Sequence, residues 1–520
     1  MRLPALLVAV CALPSLQRAR LPAVLAAVCA LPILLYLPFL HEPFMRDEGF
    51  YATVAQLILD GDLPYRDAFD NKPPLVFGWY ALSFLIFGEH VWAPRLVAAV
   101  LVSGTTLLVY VQGRLLFSGR EALLAALAFA LSIGVARFGT NANTEYFMLL
   151  PLMAGLVTFT LGHKTGRLPW FLLSGVLNGI AIMTKEVSVF NLAFLVLWTL
   201  YPACRRGDLD RHHLASVALL LVGSSLAVVL TIAPFVLLGA FADFWDAAVV
   251  YTLHYVGDRS AADRVIDLAI RGLFPFVVAG PWIALAFLGC VYLMRSGDNR
   301  WGWLLAGWLV AGVISIIFVG RLFAHYYVHV LPALSLMAPL GVRFLRTSWH
   351  VAAVRAGWLT LAVILIGATV ALNGRVYLHD SVDGRHLSKF TGAPGHWGVE
   401  SPDLARYIAD NTSPDDYIYN LGFQSELYFY ADRRSPTPYL FDHVFLADQS
   451  LVDDALEELQ EETPAFVIDS ARYGPPREHR YDRSDFDQFL ADRYEYLGKM
   501  YYADIYRLKA EAASDTSLRQ

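Results

Sequence analysis

The stretch LPAVLAAVCALPILLYLPFL, at residues 21–40, has no charged residue and is followed by the charged loop HEPFMRDEGFY, at residues 41–51. Because a membrane span needs about 20 mostly apolar residues, the first stretch predicts a transmembrane helix. Further apolar stretches occupy residues 96–117, 214–238 and 358–372. The chain is 57% hydrophobic and only 17% charged, and one soluble core would not hold so many apolar segments. The sequence therefore predicts a polytopic α-helical membrane protein.

Charge and cysteine content exclude two other classes of protein. The formal net charge is −6 over 520 residues, whereas nucleic-acid-binding proteins present a basic face. Four cysteines lie in or beside apolar segments, without CxxC or Cys/His spacing, so neither disulfides nor a zinc site is expected: Cys11, Cys29, Cys204 and Cys290. Residues 3–16 nearly repeat residues 21–34. We therefore interpret residues 1–20 as an N-terminal extension before the first span.

Lysine and arginine residues near span ends predict the orientation of the helices, because they are enriched on the cytoplasmic side. They fall in alternate polar breaks: Arg18, Arg20, Arg114, Arg120, Lys164, Arg167, Arg205, Arg206, Arg211, Arg295, Arg300, Arg343, Arg346 and Arg355. One orientation satisfies them all with about 11 spans, at residues 21–40, 95–117, 121–139, 145–162, 169–184, 187–203, 214–240, 271–294, 301–319, 325–342 and 356–373. The segment at residues 74–87 is short for a span and is predicted to be a juxtamembrane or re-entrant helix. Everything after residue 374 then lies outside.

The polar region from residue 375 predicts a separate extracytoplasmic α/β domain at residues 375–510. Helix-like and strand-like segments alternate in it: helices at 401–411, 448–461 and 485–493, strands at 416–421 and 465–469, and a closing pair at 494–507. Ser401 and Ser484 are expected to cap the helices that they begin. Residues 511–520 are expected to be disordered.

Two adjacent carboxylates, Asp47 and Glu48, stand in the first outside loop, residues 41–94. Such a pair is costly to ionise unless a cation or hydrogen-bond donors compensate. It suits either deprotonation of an acceptor hydroxyl or binding of a divalent metal. The structural alternative is that Asp47 caps the following helix, because acidic residues favour a helix start. The residues alone leave both interpretations open.

Lys72 precedes Pro73 and Pro74 in the same loop, and the prolines fix the direction in which the chain leaves. One interpretation gives this lysine a phosphate partner near the membrane surface. The other is a lysine whose ammonium group reaches the lipid head groups.

Other predicted outside breaks carry polar groups that would meet at the same membrane face. These groups are Asn141, Asn143, Glu145, Lys185, Glu186, Arg321, His325, Tyr326 and Tyr327. Ionisable residues at such depth are costly and usually functional, although Lys185 and Glu186 are also placed to pair with each other. The outside loop at residues 241–270 is long enough to cover a site.

Five motifs in this order resemble the GT-C superfamily of glycosyltransferases: RDEGFYA at 46–52, DNKPPL at 70–75, FGEHVWAPRL at 87–96, NTEYF at 143–147 and RLFAHYYVHVLPAL at 321–334. Within the superfamily they are most similar to bacterial members of the dolichyl-phosphate-mannose protein mannosyltransferase type, glycosyltransferase family 39. That family includes the aminoarabinose and galacturonic-acid transferases of lipopolysaccharide. The resemblance covers roughly residues 40–345.

The resemblance implies an inverting transferase that takes a sugar from a polyprenyl-phosphate donor. By position, Asp47 matches the catalytic acidic residue of the family, with Glu48 beside it. Glu145 occupies a second acidic position where many relatives have Asp. A divalent metal, Mg or Mn, is a further possibility that the resemblance raises, with Asp47 and Glu145 as its ligands.

The resemblance also implies residues for the donor and the substrate. Lys72 matches the basic residue of the family's (H/K)PP element, which is expected near the donor phosphate. Lys185 falls at a lysine found in many bacterial relatives, and Arg321 and His325 match a polar pair at an outside helix start. Three further residues are expected to contact substrate: Tyr51, Asn143 and Tyr326.

The expected protein is thus a glycosyltransferase of the bacterial inner membrane. Residues 21–374 would form its catalytic domain, and both its site and its C-terminal domain would face the exterior, where a cell-envelope acceptor receives the sugar. A lipid or sugar flippase or transporter is one alternative, although transporters usually show internal repeats and broken helices at mid-membrane. A polymerase or ligase that uses a diphosphate-linked oligosaccharide is the other.

Overall fold

The computed structural model describes most of residues 21–510. The gaps are residues 135–139, 208, 258–259, 261, 263–264, 267–271, 273, 297–298, 321, 349–351, 380, 390–397, 447 and 474–480. The predicted N-terminal extension, the predicted disordered tail and Arg321 therefore lie outside the described residues.

Helices make up the described chain as far as residue 389. They are α1 Leu21–Tyr36, α2 Arg46–Asp60, α3 Leu75–Phe87, α4 Trp92–Leu116, α5 Gly119–Ile133, α6 Thr144–Thr165, α7 Pro169–Thr184, α8 Val189–Arg206, α9 Arg211–Leu237, α10 Phe241–Trp245, α11 Thr252–Gly257, α12 Phe274–Ser296, α13 Arg300–Val319, α14 Leu331–Ser348, α15 Ala352–Tyr377 and α16 Val382–Lys389. A π-helical turn, Asp246–Tyr251, joins α10 to α11, and a 3-10 turn, Ala324–Val330, leads into α14. Each predicted span overlaps a helix, although residues 135–139, 271 and 273 of two spans lie outside the described residues and residues 325–330 of a third belong to the 3-10 turn. The segment judged too short for a span is the 13-residue α3.

Six of the described segments are long and apolar enough to cross a membrane, judged by length and composition: Leu21–Phe39, Trp92–Leu116, Thr144–Thr165, Arg211–Leu237, Arg300–Val319 and Ala324–Thr347. Four further apolar helices are shorter: Leu75–Phe87, Pro169–Thr184, Glu186–Tyr201 and Gly280–Ser296. The protein is therefore a multi-pass helical membrane protein. The count of about 11 crossings stays a prediction.

Close backbone contacts hold neighbouring membrane helices together. A β carbon on Gly175 of α7 would collide with the carbonyl oxygen of Leu220 in α9, and one on Gly223 of α9 would collide with that of Leu172 in α7. Helices α12 and α14 meet in the same way at Gly341. Within a bilayer, helices associate through such van der Waals packing, which small residues permit. These glycines therefore set the distance between the helices.

The C-terminal unit is a layer of helices on a four-stranded sheet. Its elements are α17 Ser401–Asp410, β1 Ile418–Leu421, α18 Glu426–Ala431, α19 Leu451–Glu461, β2 Phe466–Asp469, α20 Ser484–Arg493, β3 Tyr494–Met500 and β4 Ala503–Leu508. The strand order is β1-β2-β4-β3; β1 and β2 are parallel, and the other two pairs are antiparallel. All residues of β1 and β2 are buried, as expected for parallel strands that are covered on both faces.

Both serine caps predicted for this unit are wrong. Helix α17 begins at Ser401 with Glu400 as its N-cap, and α20 begins at Ser484 with Arg483 as its N-cap. The Ser401 hydroxyl instead donates to Glu426 Oε1 at 2.7 Å, and the Ser484 hydroxyl donates to an aspartate oxygen at 2.8 Å. The residue before each serine occupies the cap position, and each serine hydroxyl donates to a side-chain oxygen.

Helix α16 ties the end of the membrane region to the loop that follows α1. Glu42, in that loop, is fully buried, and its Oε2 accepts a hydrogen bond from Lys389 Nζ at 2.5 Å. The same oxygen lies 3.1 Å from His386 Nδ1. Lys389 Nζ also lies 4.2 Å from the ring centroid of Phe39. We call Glu42, His386 and Lys389 the Glu42 cluster.

The replacement Gly223→Ala tests the packing of α7 on α9. The added methyl group collides with the Leu172 carbonyl, so we expect a loss of about 1–3 kcal/mol in stability. The measurement is the midpoint of thermal unfolding in one detergent. Gly357→Ala, in α15, is the matched control, because a β carbon there has no neighbour within 4 Å. Equal midpoints for the two variants would refute the close approach.

Candidate active site

The first turn of α2 presents Asp47. The helix begins at Arg46, and its N-cap is Met45, whose backbone N–H donates to Glu48 Oε2 at 3.2 Å. Asp47 is therefore the second residue of the helix, and the structural alternative in which Asp47 is the N-cap is wrong. Glu48 fills the capping role and leaves the Asp47 carboxylate available for other partners. A negative charge in the first turn is also stabilised by the helix dipole.

Asp47 is an anion held among cations. Arg46 Nε lies 3.0 Å from Asp47 Oδ1, and the Asp47 side chain remains 28% exposed. Burial by itself would raise the pKa of Asp47, but the charges of Arg46, His325 and Lys72 outweigh it and hold that pKa well below its usual value. The structure therefore brings Asp47, Lys72 and His325 into one electrostatic environment.

Glu48 does not share this environment. It is fully buried and forms a two-pronged ion pair with Arg95, with Nε to Oε1 at 2.9 Å and Nη2 to Oε2 at 2.6 Å. The backbone N–H of Ala142 also donates to Glu48 Oε1 at 2.8 Å. The interpretation of Asp47 and Glu48 as one acidic pair is therefore corrected, because Arg95 takes up the second carboxylate. The role that the geometry gives Glu48 is to position α2.

Glu145 and Lys185 form a second ion pair, from residues 40 positions apart in sequence. Glu145, in the first turn of α6, lies 3.2 Å from Lys185 Nζ, and both side chains are buried. Thr144 Oγ1 donates to the other Glu145 oxygen at 3.1 Å. Lys185 Nζ lies 4.8 Å from the ring centroid of Tyr326. The ion pair of Lys185 is thus with Glu145, and the alternative pairing with Glu186 is not the one formed.

Tyr51 marks where the carboxylates converge. Burial raises the pKa of Tyr51 well above its usual value, and the charges of Asp47, Asp70 and Glu145 raise it further. Only 3% of Tyr51 is exposed, because its ring packs edge-on against Phe77 and Tyr80. The phenol is therefore fixed by its aromatic neighbours and feels the charge of the three acidic groups. Its contact with substrate stays a prediction.

Two other predicted substrate residues lie at helix starts. Asn143 is the N-cap position of α6 and is almost fully buried, and its Oδ1 makes no hydrogen bond to another described residue. Tyr326 lies in the 3-10 turn before α14, edge-on to the His325 ring at 4.8 Å. The His325 ring stacks on Phe323 with centroids 5.8 Å apart. These contacts fix the two rings beside the Glu145–Lys185 pair.

Lys72 lies on a short turn with Asp70, which sequence reasoning did not single out. Lys72 Nζ donates to Asn71 Oδ1 at 2.5 Å and lies 3.9 Å from Asp70 Oδ1. Tyr65, in a left-handed conformation with φ 74°, donates its hydroxyl to the Lys72 carbonyl at 2.7 Å. Burial raises the pKa of Asp70, whereas Lys72 lowers it. The DNKPPL motif was the available signal for Asp70, because it places an acid two residues before the lysine.

A buried polar cluster lies next to the Glu145–Lys185 pair. His329 contacts Asn191 Oδ1 at 2.7 Å through Nε2 and Ser315 Oγ at 3.1 Å through Nδ1. His329, Ser315, Glu145, Lys185 and Tyr326 line one small cavity, together with Val187, Ile316 and Val319. Sequence reasoning missed these polar residues because each stands alone inside an apolar segment.

A divalent metal at Asp47 and Glu145 would have to share these carboxylates with cationic side chains. Among the described residues, no three His, Cys, Asp or Glu side chains gather in a way that would hold a metal ion. Asp47 and Glu145 each face a cationic side chain, Arg46 and Lys185, which satisfies their charge. Mg and Mn prefer several oxygen ligands. The metal site at Asp47 and Glu145 therefore stays a prediction, and no step below depends on it.

The C-terminal unit packs directly on α2 through α18. A β carbon on Gly49 would collide with Glu426, so the two helices touch at that point. Ser425 Oγ donates to the Arg46 carbonyl at 3.0 Å, and Thr53 Oγ1 donates to the Ser425 carbonyl at 3.3 Å. The helix that carries Asp47 is thus held on one side by Arg95 and on the other by the C-terminal unit.

Sequence comparison connects the chain to membrane sugar transferases. Residues 71–236, which include Lys72, Glu145 and Lys185, match the family model of dolichyl-phosphate-mannose-protein mannosyltransferases. An undecaprenyl phosphate-alpha-4-amino-4-deoxy-L-arabinose arabinosyl transferase of Pseudomonas fluorescens is 28% identical over 316 residues, which are 57% of this chain and 52% of the relative. A Bacillus subtilis relative is 29% identical over 204 residues, or 38% of this chain and 27% of that protein. The matches cover 18% to 52% of the lengths of these curated relatives.

Solved structures identify the fold. ArnT from Cupriavidus metallidurans, bound to undecaprenyl phosphate, has a TM-score of 0.62 at 19% identity, over 95% of this chain and 99% of that one. The oligosaccharyltransferase AglB from Archaeoglobus fulgidus, in complex with an inhibitory peptide and a dolichol-phosphate, has a TM-score of 0.55 at 14% identity, over 88% and 70%. The chain therefore has a GT-C fold, and its resemblance to the GT-C glycosyltransferases, the aminoarabinose transferase among them, is confirmed.

Glu426 gives the contact with α2 a pH dependence. It is 1% exposed, its Oε1 accepts from Ser401, and burial raises its pKa to about 7 against the opposing effects of Ser401 and Arg46. The folded protein therefore favours the protonated form. Its contribution to stability is fully present below pH 4.5 and is lost as the pH rises towards about 7, because the unfolded chain releases the proton first.

We expect Glu426→Gln to remove this pH dependence. The wild type should lose up to about 3 kcal/mol across the window, whereas the variant should change much less. The measurement is the midpoint of thermal unfolding between pH 4.5 and 8. Glu495→Gln, at an exposed ion pair with Arg507, is the control and should follow the wild type. A Glu426→Gln profile that follows the wild type would contradict the assignment.

Proposed function

We propose that this protein is a membrane glycosyltransferase that transfers a sugar from a polyprenyl-phosphate donor to a hydroxyl group of a cell-envelope acceptor, with inversion. The observation that carries the proposal is the convergence of Asp47, Lys72, His325 and the Glu145–Lys185 pair at one end of the helical region. The names of the relatives support the donor class, because one is an undecaprenyl phosphate-linked arabinosyl transferase and ArnT is bound to undecaprenyl phosphate.

The cations of the site serve the leaving group. When the bond between the sugar and the phosphate oxygen breaks, the electron pair remains on the phosphate, which departs with additional negative charge. Preorganised cations stabilise the charge that develops in such a transition state. Lys72 is the first candidate, because its side chain is partly exposed and its partners are an amide oxygen and a distant carboxylate. Lys185 is the second, and Arg321 stays a prediction from the sequence.

Asp47 is the proposed base. An acceptor hydroxyl attacks the anomeric carbon from the face opposite the phosphate, and its proton passes to Asp47, which later returns it to water. With its low pKa, Asp47 is ionised but only weakly basic as long as no phosphate is bound to the cations around it. Donor phosphate that binds Lys72 draws that positive charge away from Asp47 and raises the pKa of the carboxylate. The base is thereby strengthened when the donor is in place.

Glu48 and Glu145 take other roles in this proposal. Glu48 holds α2 through Arg95 and does not reach the reacting atoms. Glu145 neutralises Lys185 and keeps its ammonium group between α6 and the Tyr326 ring. Both are positioning residues, and the predicted direct role of Glu48 in catalysis is set aside.

The predicted orientation completes the proposal. The distribution of lysine and arginine residues predicts that the site and the C-terminal unit face the exterior of the bacterial inner membrane. There the enzyme would meet polyprenyl-linked sugars and growing envelope glycans or lipids. The flippase alternative is less well supported, because the charged residues gather at one end of the helices rather than at mid-membrane.

Asp47→Asn tests the base. With undecaprenyl-phosphate-linked mannose and 4-amino-4-deoxy-L-arabinose as donors, we expect sugar transfer to fall by a factor of roughly 100 or more while the protein inserts normally. The control is Asp67→Asn, because Asp67 also pairs with the preceding arginine and has 29% of its side chain exposed. Full transfer by Asp47→Asn would refute the assignment of Asp47 as the base. If wild-type protein in vesicles leaves the donor chemically unchanged, the flippase alternative is favoured. If the protein uses only diphosphate-linked donors, the polymerase or ligase alternative is favoured.

Lys72→Ala tests the donor phosphate site. Loss of a hydrogen bond to a charged group typically costs about 1.5–3 kcal/mol, so we expect undecaprenyl phosphate to compete with the donor roughly tenfold less well. The measurement is the inhibition constant of undecaprenyl phosphate in the transfer assay. Lys499→Ala, in β3, removes the same charge from the C-terminal unit and should leave that constant unchanged. An inhibition constant that Lys72→Ala does not move would remove Lys72 from the donor site.

A further inference from the structure

Aromatic rings of the C-terminal unit reach the Asp47 side of the site. The guanidinium carbon of Arg46, whose Nε pairs with Asp47, lies 5.7 Å from the ring centroid of Phe423. Phe423 follows the carboxyl end of β1, in the loop that leads into α18. Since α18 is fixed on α2, the position of this ring relative to Asp47 is fixed as well.

Three more rings extend this surface. His443 stacks on Phe441 with centroids 6.1 Å apart and an angle of 10°, and it lies 6.4 Å from the Phe423 ring. Tyr255, from α11, stands edge-on to His443 at 5.8 Å. All four rings are half-buried. We call Phe423, Phe441, His443 and Tyr255 the aromatic surface.

The aromatic surface is held in place from behind. Phe441 packs edge-on against Phe50 of α2 at 5.1 Å, and Tyr255 stacks on Tyr251 at 6.4 Å. The rings thus belong to three separate segments of the chain that meet beside one ion pair.

The chemistry of this surface differs from that of the donor side. Lys72 and Lys185 are suited to a phosphate, whereas the aromatic surface adds rings beside a single cation that Asp47 already neutralises. Binding sites for small polar molecules combine aromatic walls with a few placed polar groups. Gln424, next to Phe423 in sequence, is buried, and its Oε1 makes no hydrogen bond within the described chain.

We propose that the aromatic surface is the acceptor subsite and that it binds a sugar ring of the acceptor. The apolar C–H face of the sugar stacks on Phe423 and His443, and a hydroxyl group on its edge faces Asp47. This inference rests on the proposed glycosyltransferase function and specifies its acceptor as a carbohydrate or a glycosylated lipid. It also gives the C-terminal unit a direct part in substrate binding.

The test separates acceptor binding from donor binding. Full-length protein in nanodiscs receives undecaprenyl-phosphate-linked mannose or 4-amino-4-deoxy-L-arabinose, and the envelope fraction of the organism that encodes the chain is titrated as acceptor. For Phe423→Ala and His443→Ala we expect the half-saturating amount of acceptor to rise about tenfold. The half-saturating concentration of donor should stay within about twofold of the wild type.

Conservative and remote variants complete the design. Phe423→Trp retains a ring and should stay within about threefold of the wild type for the acceptor. Tyr496→Ala removes an exposed ring from β3, which is at the opposite edge of the sheet from β1. This variant should leave both substrate curves unchanged. If Phe423→Ala does not yield folded protein, His443→Ala decides the question.

Three results would overturn the inference. An unchanged acceptor curve for the alanine variants would remove the rings from the acceptor subsite. Equal shifts of the donor and acceptor curves would mean that the rings only support the fold of α2. Sugar recovered on protein rather than on glycan or lipid would refute the carbohydrate acceptor. A wild-type protein that consumes none of the donors would instead refute the proposed function itself.

Discussion

The guanidinium group of Arg95 organises the loop on which the site is built. It donates to the backbone carbonyl groups of Phe39, Leu40, Glu42 and Pro43, where the chain leaves α1, and binds both oxygens of Glu48. Desolvating two charges is costly, and only such complete hydrogen bonding compensates for it. Because Glu48 is the neighbour of Asp47 on α2, the orientation of the proposed base follows from this buried contact.

Charge balance is the second constraint on the site. Three acidic groups that the sequence placed at the membrane surface have a cation beside them: Arg46 for Asp47, Arg95 for Glu48 and Lys185 for Glu145. Only the first pair retains appreciable exposure. One carboxylate is accessible, and the other two are held in buried ion pairs. The RDE motif therefore contains both the proposed base, Asp47, and a residue that supports the fold, Glu48.

Hydropathy and charge distribution predicted much of the fold, and long-range pairing limited the rest. The positions of the membrane helices, the short helix α3 and the strands β1 and β2 follow from local pattern, because span length and alternation are properties of short segments. The partner of Lys185 does not follow from local pattern, because Glu186 is adjacent in sequence but the ion pair is formed with Glu145. Likewise, nothing local shows that Arg95 takes Glu48 away from Asp47, or that the hydroxyl of Ser401 serves Glu426 rather than a helix end.

The contact between Arg46 and Ser425 spans 379 positions in sequence, and that between Glu42 and Lys389 spans 347. A ribosome that adds about 5–20 residues per second needs roughly 20–80 seconds to cover such a distance. The helix of Asp47 is therefore synthesised long before α18 and residues 386 and 389 of the Glu42 cluster exist to hold it. The contacts that hold α2 and its loop from the C-terminal side therefore form only after residue 425 has been synthesised, and a shorter nascent chain carries the RDE motif without them.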